Sequence, residues 1–287
     1  MDFSSDKHTV GPRVTTSIEV RSSSLPRDSF RHALLDFDGT ISVIREGWER
    51  VMTPLMIEMI AGDEGDPHGT IRQEVERYVD ESTGLQTILQ MDWLAKVVAQ
   101  RRGPDKALSA EHYKAIYNER LLHSVRERLA RLERGEAARE ELMIVGAEPF
   151  LRALGERGVR LYVASGTDVE DVRREATALG VAHYFQGGIF GAVGASRQCS
   201  KAAVIRDILT SHKLEGPELL VVGDGPVEIR EGKARGAVTL GVASDEVSRR
   251  GLNPRKRERL IHAGADILIP DFTVGEALLA ILFPTGK

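Results

Sequence analysis

The sequence DFDGT, residues 36–40, places Asp36 and Asp38 two positions apart directly after an apolar segment. Alternate residues of a strand point to opposite faces, so a fully extended chain cannot aim both carboxylates at one point. A turn at Gly39 can bring the second carboxylate back towards the first. Such a pair supplies a nucleophile or metal ligand together with a second acid for proton transfer. The alternative is a strand that simply ends in a polar turn.

Three later segments have the same form, an apolar run next to small or polar residues. Ser165 follows the apolar run 159–164, Lys201 precedes the helical run 202–209, and Asp224 and Glu228 follow the run 219–222. In this order the four motifs resemble those of the haloacid dehalogenase (HAD) superfamily of aspartate-nucleophile phosphohydrolases. The resemblance extends from about residue 31 to residue 272. Glu228 departs from it, because many relatives have aspartate at that position.

The resemblance implies a role for each motif residue in phosphoryl transfer. Asp36 is expected to attack phosphorus and form an aspartyl-phosphate. Asp38 is expected to protonate the leaving oxygen and then to activate the hydrolytic water. Ser165 would hold phosphoryl oxygens, and Lys201 would neutralise their charge and restrain Asp36.

The same resemblance implies a Mg²⁺ cofactor and a small phosphorylated metabolite as substrate. Asp36, Asp224 and the carbonyl of Asp38 are predicted to bind the ion directly, and Glu228 through water, since Mg²⁺ keeps several waters in an octahedral oxygen shell. The remaining predicted substrate-binding residues are Gly166 and Thr167 beside the second motif, and Arg45 and Glu46 just past the first.

From residue 31 onwards the chain alternates apolar runs with helical patterns, which is typical of a parallel sheet covered by helices. Continuous apolar runs suit strands that are buried on both faces. The predicted fold class is therefore α/β, a Rossmann-like parallel sheet core with an inserted all-helical cap domain. The predicted strands are His32–Phe37, Val159–Ala164, Leu219–Val222, Val238–Val242 and Asp266–Ile269. Ligands of such sheets bind outside the carboxyl ends of the strands, where Asp36, Ser165 and Asp224 lie.

The segment 46–145 interrupts this alternation and is too long for a plain loop. Apolar residues recur at helical spacing in two stretches of it: Leu85, Leu89, Trp93 and Val97, and Leu122, Val125, Leu129 and Leu132. We therefore predict a polar N-terminal leader at 1–30, a core formed by 31–45 and 146–287, and a helical cap at 46–145. Within the leader, Thr15–Val20 is a candidate for a short edge strand, but a poorly packed leader is favoured. The glycine-rich segment 187–191 is predicted to be a turn or hairpin, and Thr167-x-x-Glu170 is a capping-box pattern.

Composition limits the possible partners. The chain has 287 residues, 41% of them hydrophobic, and a net charge of −4, which argues against nucleic acid as the main partner. The basic run 255–259 is predicted to be one solvated face of a helix. Cys199 is the only cysteine, so no intrachain disulfide is possible, and we read it as an inert small residue near the site. No apolar stretch is long enough to span a membrane and the N-terminus does not resemble a signal peptide, so a cytoplasmic protein is expected.

Three functional hypotheses follow. The first is a Mg²⁺-dependent phosphatase that acts on a phosphosugar or a phosphoglycolate-like acid. The second is a phosphomutase on the same scaffold, with which Asp38 is equally compatible. The third is a non-catalytic phosphoryl-binding protein, which the complete set of chemical groups disfavours. The sequence leaves open whether the protein is a monomer or a homodimer.

Overall fold

The computed structural model describes residues 18–194 and 200–285 of the chain, so Cys199 lies outside the described residues. The strands are β1 (Glu19–Val20), β2 (His32–Leu35), β3 (Arg160–Asp168), β4 (Gly188–Ala192), β5 (Leu219–Gly223), β6 (Val238–Val242) and β7 (Ile267–Ile269). The α-helices are α1 (Trp48–Ala61), α2 (Thr70–Glu81), α3 (Thr87–Arg102), α4 (Ala110–Glu133), α5 (Ala147–Glu156), α6 (Val169–Ala178), α7 (Lys201–His212), α8 (Pro226–Lys233), α9 (Pro254–Ala263) and α10 (Gly275–Leu282). The predicted α/β class is confirmed.

The strands of the described residues form one sheet in the order β1-β7-β6-β5-β2-β3-β4. All neighbouring pairs are parallel except β1 with β7. The chain runs from β2 to β3 on one side and returns later to β5 on the other, so the direction of winding changes beside β2. Open parallel sheets bind their ligands at the carboxyl ends of strands next to such a switch point.

All residues of β2, β5 and β6 are buried, which explains their continuous apolar sequences. Helices cover both faces of the sheet, because a parallel sheet needs crossover connections that place helices on it. All five predicted strands are present as β2, β3, β5, β6 and β7, and their ends differ from the predicted ends by a few residues at most.

Two edge strands, β1 and β4, lie in segments that were not expected to form strands. The segment 187–191, predicted as a turn or hairpin, contains most of β4, which pairs in parallel with β3 through Tyr162 and Gly188. Its glycines are turn signals, but the open edge of β3 supplies a partner that local sequence cannot reveal. Part of the predicted leader forms β1, whose Glu19 lies opposite Leu268 and forms a 2.6 Å ion pair with Arg257.

The insertion consists of α1 to α4, as its periodicity predicts. The rings of Tyr78 in α2 and Trp93 in α3 stack with centroids 3.8 Å apart and help to join these two helices. The deepest face of α3 differs from the predicted stripe, because Leu89 and Trp93 are only partly buried and Leu85 precedes the helix. The fully buried residues of α3 are Ile88, Met91, Leu94 and Val98. No α-helix among the described residues is both long and apolar enough to cross a membrane.

Candidate active site

Asp36 follows β2 at the carboxyl edge of the sheet, and its carboxylate is buried. Its backbone N–H donates to the carbonyl of Val222 at 2.8 Å, so the ladder with β5 fixes its position. Its Oδ1 accepts a 2.8 Å hydrogen bond from the N–H of Phe37. Its Oδ2 lies 2.7 Å from Nζ of Lys201. Both oxygens are thus oriented by the protein.

Lys201 begins α7 directly after Ser200, whose hydroxyl accepts from the N–H of Ala203 at 3.2 Å and caps the helix. A positive charge at a helix N-terminus is unfavourable against the helix dipole. The ammonium offsets this by bridging Asp36 Oδ2 and Glu228 Oε2, the latter at 2.8 Å. Burial lowers the pKa of Lys201, but the two carboxylates outweigh burial and hold it above its usual value.

Asp38 is turned towards β3 by the loop at Gly39, which has φ of +73°. A Cβ at Gly39 would come within 2.4 Å of Asp224 Oδ2, so both the turn and the close approach require glycine. The hydroxyls of Ser165 and Thr167 each donate a 2.9 Å hydrogen bond to Asp38 Oδ2. Asp38 Oδ1 is buried and has no hydrogen-bond partner among the described residues.

Ser165 and Thr167 lie where the pairing of β3 with β4 is irregular, between Ala164 and Asp168. Such irregularities redirect side chains and are common next to active sites. The hydroxyl of Ser165 accepts a 3.0 Å hydrogen bond from the N–H of Thr167. The predicted capping box at Thr167 is wrong, because α6 begins at Val169 after Asp168 and the Thr167 hydroxyl is used by Asp38 instead.

Asp224 follows β5 and is the third buried carboxylate at this edge. Its Oδ2 lies 2.8 Å from Nζ of Lys256 and 3.5 Å from Nη2 of Arg259. Burial opposes ionisation, but these two cations outweigh it and hold the pKa of Asp224 below its usual value. The hydroxyl of Thr40 lies 3.4 Å from Oδ1.

Three of the predicted metal ligands meet at this edge of the sheet. Oxygens of Asp36, Asp224 and Glu228 lie within 4.8 Å of one another, and all three residues are buried. Carboxylate oxygens are the donors that Mg²⁺ prefers, so the donor set fits that ion. Glu228 already uses Oε1 to accept from the N–H of Gly225 at 2.7 Å and Oε2 to bind Lys201. This engagement agrees with a contact through water.

Helix α9 contributes two buried cations that were not predicted from the sequence. Lys256 and Arg259 belong to the basic run that was predicted to be a solvated helix face, yet their side chains are only 7% and 6% exposed. That prediction is wrong for these two residues. The available signal was their spacing of three positions, in phase with the buried Leu260 and Ala263. Lys256 also binds Glu246 Oε1 at 2.6 Å.

The two residues predicted to contact substrate after the first motif differ in location. Arg45 is buried and lines the cavity above Asp36, but its guanidinium is held by Glu175 at 2.6 Å and Asp171 at 2.9 Å. Burial and its neighbouring carboxylate Asp38 raise the pKa of Glu175 to about 7, and Arg45 opposes that rise. Glu46 does not line this cavity and instead pairs with Arg50 and Arg128, which argues against substrate contact.

The cavity lies between the sheet edge and the cap. Asp36, Asp38, Ser165, Gly166, Thr167 and Asp224 form its floor. The cap contributes Trp48, Thr83, Gly84, Leu85, Thr87, Gln90, Lys114, Tyr117, Asn118 and Leu121. A Cβ at Gly166 would lie 2.2 Å from the carbonyl of Leu85, so the cap loop between α2 and α3 touches the core directly. A bound molecule would therefore contact both parts of the chain.

At one edge of a parallel sheet the chain places an aspartate pair, a lysine and a cluster of buried carboxylates, with a helical insertion above them. The comparison with family models agrees. The haloacid dehalogenase-like hydrolase model matches residues 30–236, more than half of the chain. The chain belongs to this hydrolase family, which confirms the resemblance inferred from its four motifs.

Solved structures share the fold at low sequence identity. The structure of a predicted phosphatase from Clostridium acetobutylicum is 16% identical, with a TM-score of 0.57, covering 90% of this chain and all of that one. The structure of a predicted phosphoglycolate phosphatase from Haemophilus somnus 129PT is 16% identical, with a TM-score of 0.57, covering 87% of this chain and 98% of that one. A β-phosphoglucomutase structure from Clostridium difficile is 11% identical, with a TM-score of 0.54, covering 84% and 91%. The search of curated proteins found no match.

Proposed function

We propose that this hydrolase is a Mg²⁺-dependent phosphatase that acts on a small phosphorylated metabolite through an aspartyl-phosphate. One observation carries the proposal: Lys201 orients Asp36 at the floor of a cavity, and on the same floor two hydroxyl groups donate to Asp38. This arrangement supplies a carboxylate nucleophile and a separate acid within one site.

The division of labour follows from the different surroundings of the two carboxylates. Burial raises the pKa of Asp36 and so disfavours the ionised form that attacks phosphorus, and the ammonium of Lys201 opposes this effect. Asp38 has one oxygen held by Ser165 and Thr167 and the other free of hydrogen bonds, so a proton on Asp38 Oδ1 can pass to a leaving oxygen. When the leaving group has departed, the same oxygen can take a proton from water.

Asp36, Asp224 and Glu228 would hold Mg²⁺, with Glu228 acting through water. The ion, when bound, supplies positive charge that offsets repulsion between the attacking carboxylate and a dianionic phosphate. Lys201, whose ammonium lies 2.7 Å from Asp36 Oδ2, adds further positive charge beside the nucleophile. These roles are proposals that rest on the donor set and on the family to which the chain belongs.

The cavity favours a neutral, hydroxylated leaving group. Its upper part carries polar side chains such as Gln90 and Asn118 that can hydrogen-bond to hydroxyls. Its two cations are already neutralised, Arg45 by Glu175 and Asp171 and Lys114 by Asp168 at 2.5 Å. A substrate carboxylate or a second phosphate would have to displace an existing partner. We therefore propose a phosphosugar or polyol phosphate rather than a phosphoglycolate-like acid or a mutase bisphosphate.

The covalent step is tested by trapping. Borohydride reduces an aspartyl-phosphate to homoserine, so wild-type enzyme incubated with p-nitrophenyl phosphate and Mg²⁺ and then reduced should show that mass change at Asp36. Asp36→Asn should show no such change and should lose turnover by several orders of magnitude. A variant that keeps more than about a tenth of the wild-type rate would contradict the assignment of the nucleophile.

The substrate class is tested with a panel of phosphosugars, polyol phosphates and phosphoglycolate. We expect the hydroxylated substrates to have higher kcat/KM than phosphoglycolate, and the products to be phosphate and the free alcohol. A preference for phosphoglycolate would contradict the charge argument. An isomeric sugar phosphate as the product would favour the mutase, and phosphoryl binding with no turnover of any compound would favour the non-catalytic hypothesis.

A further inference from the structure

Arg259 connects the cap to the loop that carries Asp224. It lies in α9 of the core and is 6% exposed. Its Nε and Nη2 donate to the carbonyl of Asp224 at 3.3 Å and 3.1 Å. Its Nη1 donates to Asp80 Oδ1 and to the hydroxyl of Thr83, both at 3.2 Å. Two nitrogens of one planar group therefore bind the core, and the third binds the cap.

The acceptors on the cap side are themselves oriented. The hydroxyl of Thr83 donates to the carbonyl of Val79 at 3.0 Å, which leaves its lone pairs for Arg259. Asp80 lies one residue before the end of α2, and its side chain is 25% exposed. A guanidinium is rigid, so moving its cap partners away would leave a buried N–H group without an acceptor or would tilt the whole group.

The cap loop after α2 also packs on the loops that hold the carboxylates. A Cβ at Gly225, directly after Asp224, would lie 2.7 Å from the carbonyl of Thr83. A Cβ at Gly84, where φ is +92°, would lie 2.5 Å from Glu228 Oε2 and 3.0 Å from Nζ of Lys201. The seated cap and the ordered carboxylate cluster are thus in van der Waals contact beside the Arg259 connection.

Lys256 shows why the role of Arg259 is distinct. Both residues reach Asp224 from the same face of α9, but the partners of Lys256 are Asp224 and Glu246, both in the core. Lys256 can neutralise the Asp224 carboxylate whatever the position of the cap. Arg259 binds the Asp224 carbonyl and the cap at the same time, so its geometry depends on both.

We propose that Arg259 is a positioning residue that couples seating of the cap to the conformation of the Asp224 loop. The seated cap completes the hydrogen bonds of the guanidinium, and the guanidinium then holds the Asp224 peptide in the orientation that the carboxylate cluster requires. Departure of the cap removes Asp80 and Thr83 from this group and loosens the loop at the metal site. The site is therefore fully ordered only when the cap is seated. The inference concerns the site of the proposed phosphatase, but its main test does not depend on that function.

The chain offers a matched control in Arg255, one turn earlier in α9. Its Nε also lies 3.2 Å from Asp80 Oδ1, but its side chain is 62% exposed. Arg255 is bound to α2 of the cap, and in the described part of the chain it forms no hydrogen bond or ion pair with Asp224. Asp80→Asn removes the cap carboxylate that both arginines share, and it leaves every core contact of Arg259 in place.

The first measurement is hydrogen–deuterium exchange of segment 223–227 in EDTA, for wild type, Arg259→Gln, Asp80→Asn and Arg255→Gln. Arg259→Gln and Asp80→Asn should each raise exchange of the Gly225 amide by roughly tenfold, the effect of losing one hydrogen bond to a charged group. Arg255→Gln should leave it at the wild-type rate. Unchanged exchange in Asp80→Asn, or an equal rise in Arg255→Gln, overturns the coupling. Asp80→Asn keeps the test valid if Arg259→Gln does not fold.

The second measurement is Mg²⁺ binding to the same proteins by calorimetry. Weaker binding in Asp80→Asn, at a residue outside the carboxylate cluster, supports the coupling, and unchanged binding in both Asp80→Asn and Arg259→Gln overturns it. Turnover is a separate readout. If the wild-type protein released no phosphate from any substrate, the proposed function would be refuted. The exchange and calorimetry results would still decide the role of Arg259.

Discussion

Replacing Lys201 with methionine removes the counter-ion of two buried carboxylates while keeping an unbranched side chain. Its ammonium lies 2.7 Å from Asp36 and 2.8 Å from Glu228, and its side chain is 3% exposed. Breaking a buried ion pair by removing one partner costs about 3–5 kcal/mol, because a charge remains buried without compensation. We expect Lys201→Met to lower the free energy of unfolding by about that amount at neutral pH and to abolish phosphate release.

The stability deficit of Lys201→Met should depend on pH in a direction that the surroundings of Asp36 determine. Burial raises the pKa of Asp36 above its usual value, Lys201 opposes the rise, and Glu228 and Asp224 add to it. Without Lys201, the folded protein binds this proton more tightly still than the unfolded chain does. Stability then falls as the pH rises above 3.8, the ordinary aspartate pKa. The stability deficit of the variant should therefore shrink on acidification, when the folded state takes up the proton.

Urea unfolding in EDTA measures the deficit without any contribution from metal. Far-UV circular dichroism is the suitable probe, because both tryptophans of the chain, Trp48 and Trp93, lie in the cap and would report on it alone. Glu228→Gln and the double variant complete a cycle whose coupling energy we expect at about 0.5–3 kcal/mol. The double variant should regain part of the stability but none of the activity, since Asp36 still lacks its cation.

Two outcomes would refute this reasoning. One is a Lys201→Met variant that is as stable as wild type at neutral pH, which would mean that the carboxylates do not depend on the ammonium. The other is a deficit that grows as the pH falls, because the sign of the proton linkage would then be reversed.

Three further predictions concern the acid, the metal and the cap. Asp38→Asn should slow phosphoenzyme formation with poor leaving groups much more than with p-nitrophenyl phosphate, which needs little protonation; equal burst rates for both would exclude the general acid. EDTA should abolish turnover and added Mg²⁺ should restore it. Ca²⁺ should inhibit, because the larger and more irregular coordination shell of Ca²⁺ spoils the in-line geometry. Full activity in EDTA would show that Asp224 and Glu228 do not form a metal site. Replacing residues 48–141 with a short linker should preserve weak activity on aryl phosphates and abolish discrimination among metabolites, and an unchanged ranking of substrates would place specificity in the core.

Residue types and order alone were enough for the class of the fold and for the centre of the site. Continuous apolar runs identify strands buried on both faces, and Asp36, Ser165 and Asp224 lie at or just past the ends of such runs. Parallel strands share a carboxyl edge, so this local information already predicts that the three residues meet. The position of Lys201 followed from family order, and its two buried carboxylate partners explain a charge that the helix dipole disfavours.

Tertiary structure alone decided which charged residues leave the solvent. Local sequence cannot distinguish a solvated lysine from Lys256, which is buried because α9 packs its face onto the Asp224 loop. The same holds for Arg45, whose partners Glu175 and Asp171 lie about 130 positions further along the chain. Strand β4 likewise depends on the free edge of β3 and not on its glycine-rich sequence. These ion pairs and this edge strand form between segments that are distant in sequence. A short stretch of sequence therefore carries no information about the interactions that stabilise them.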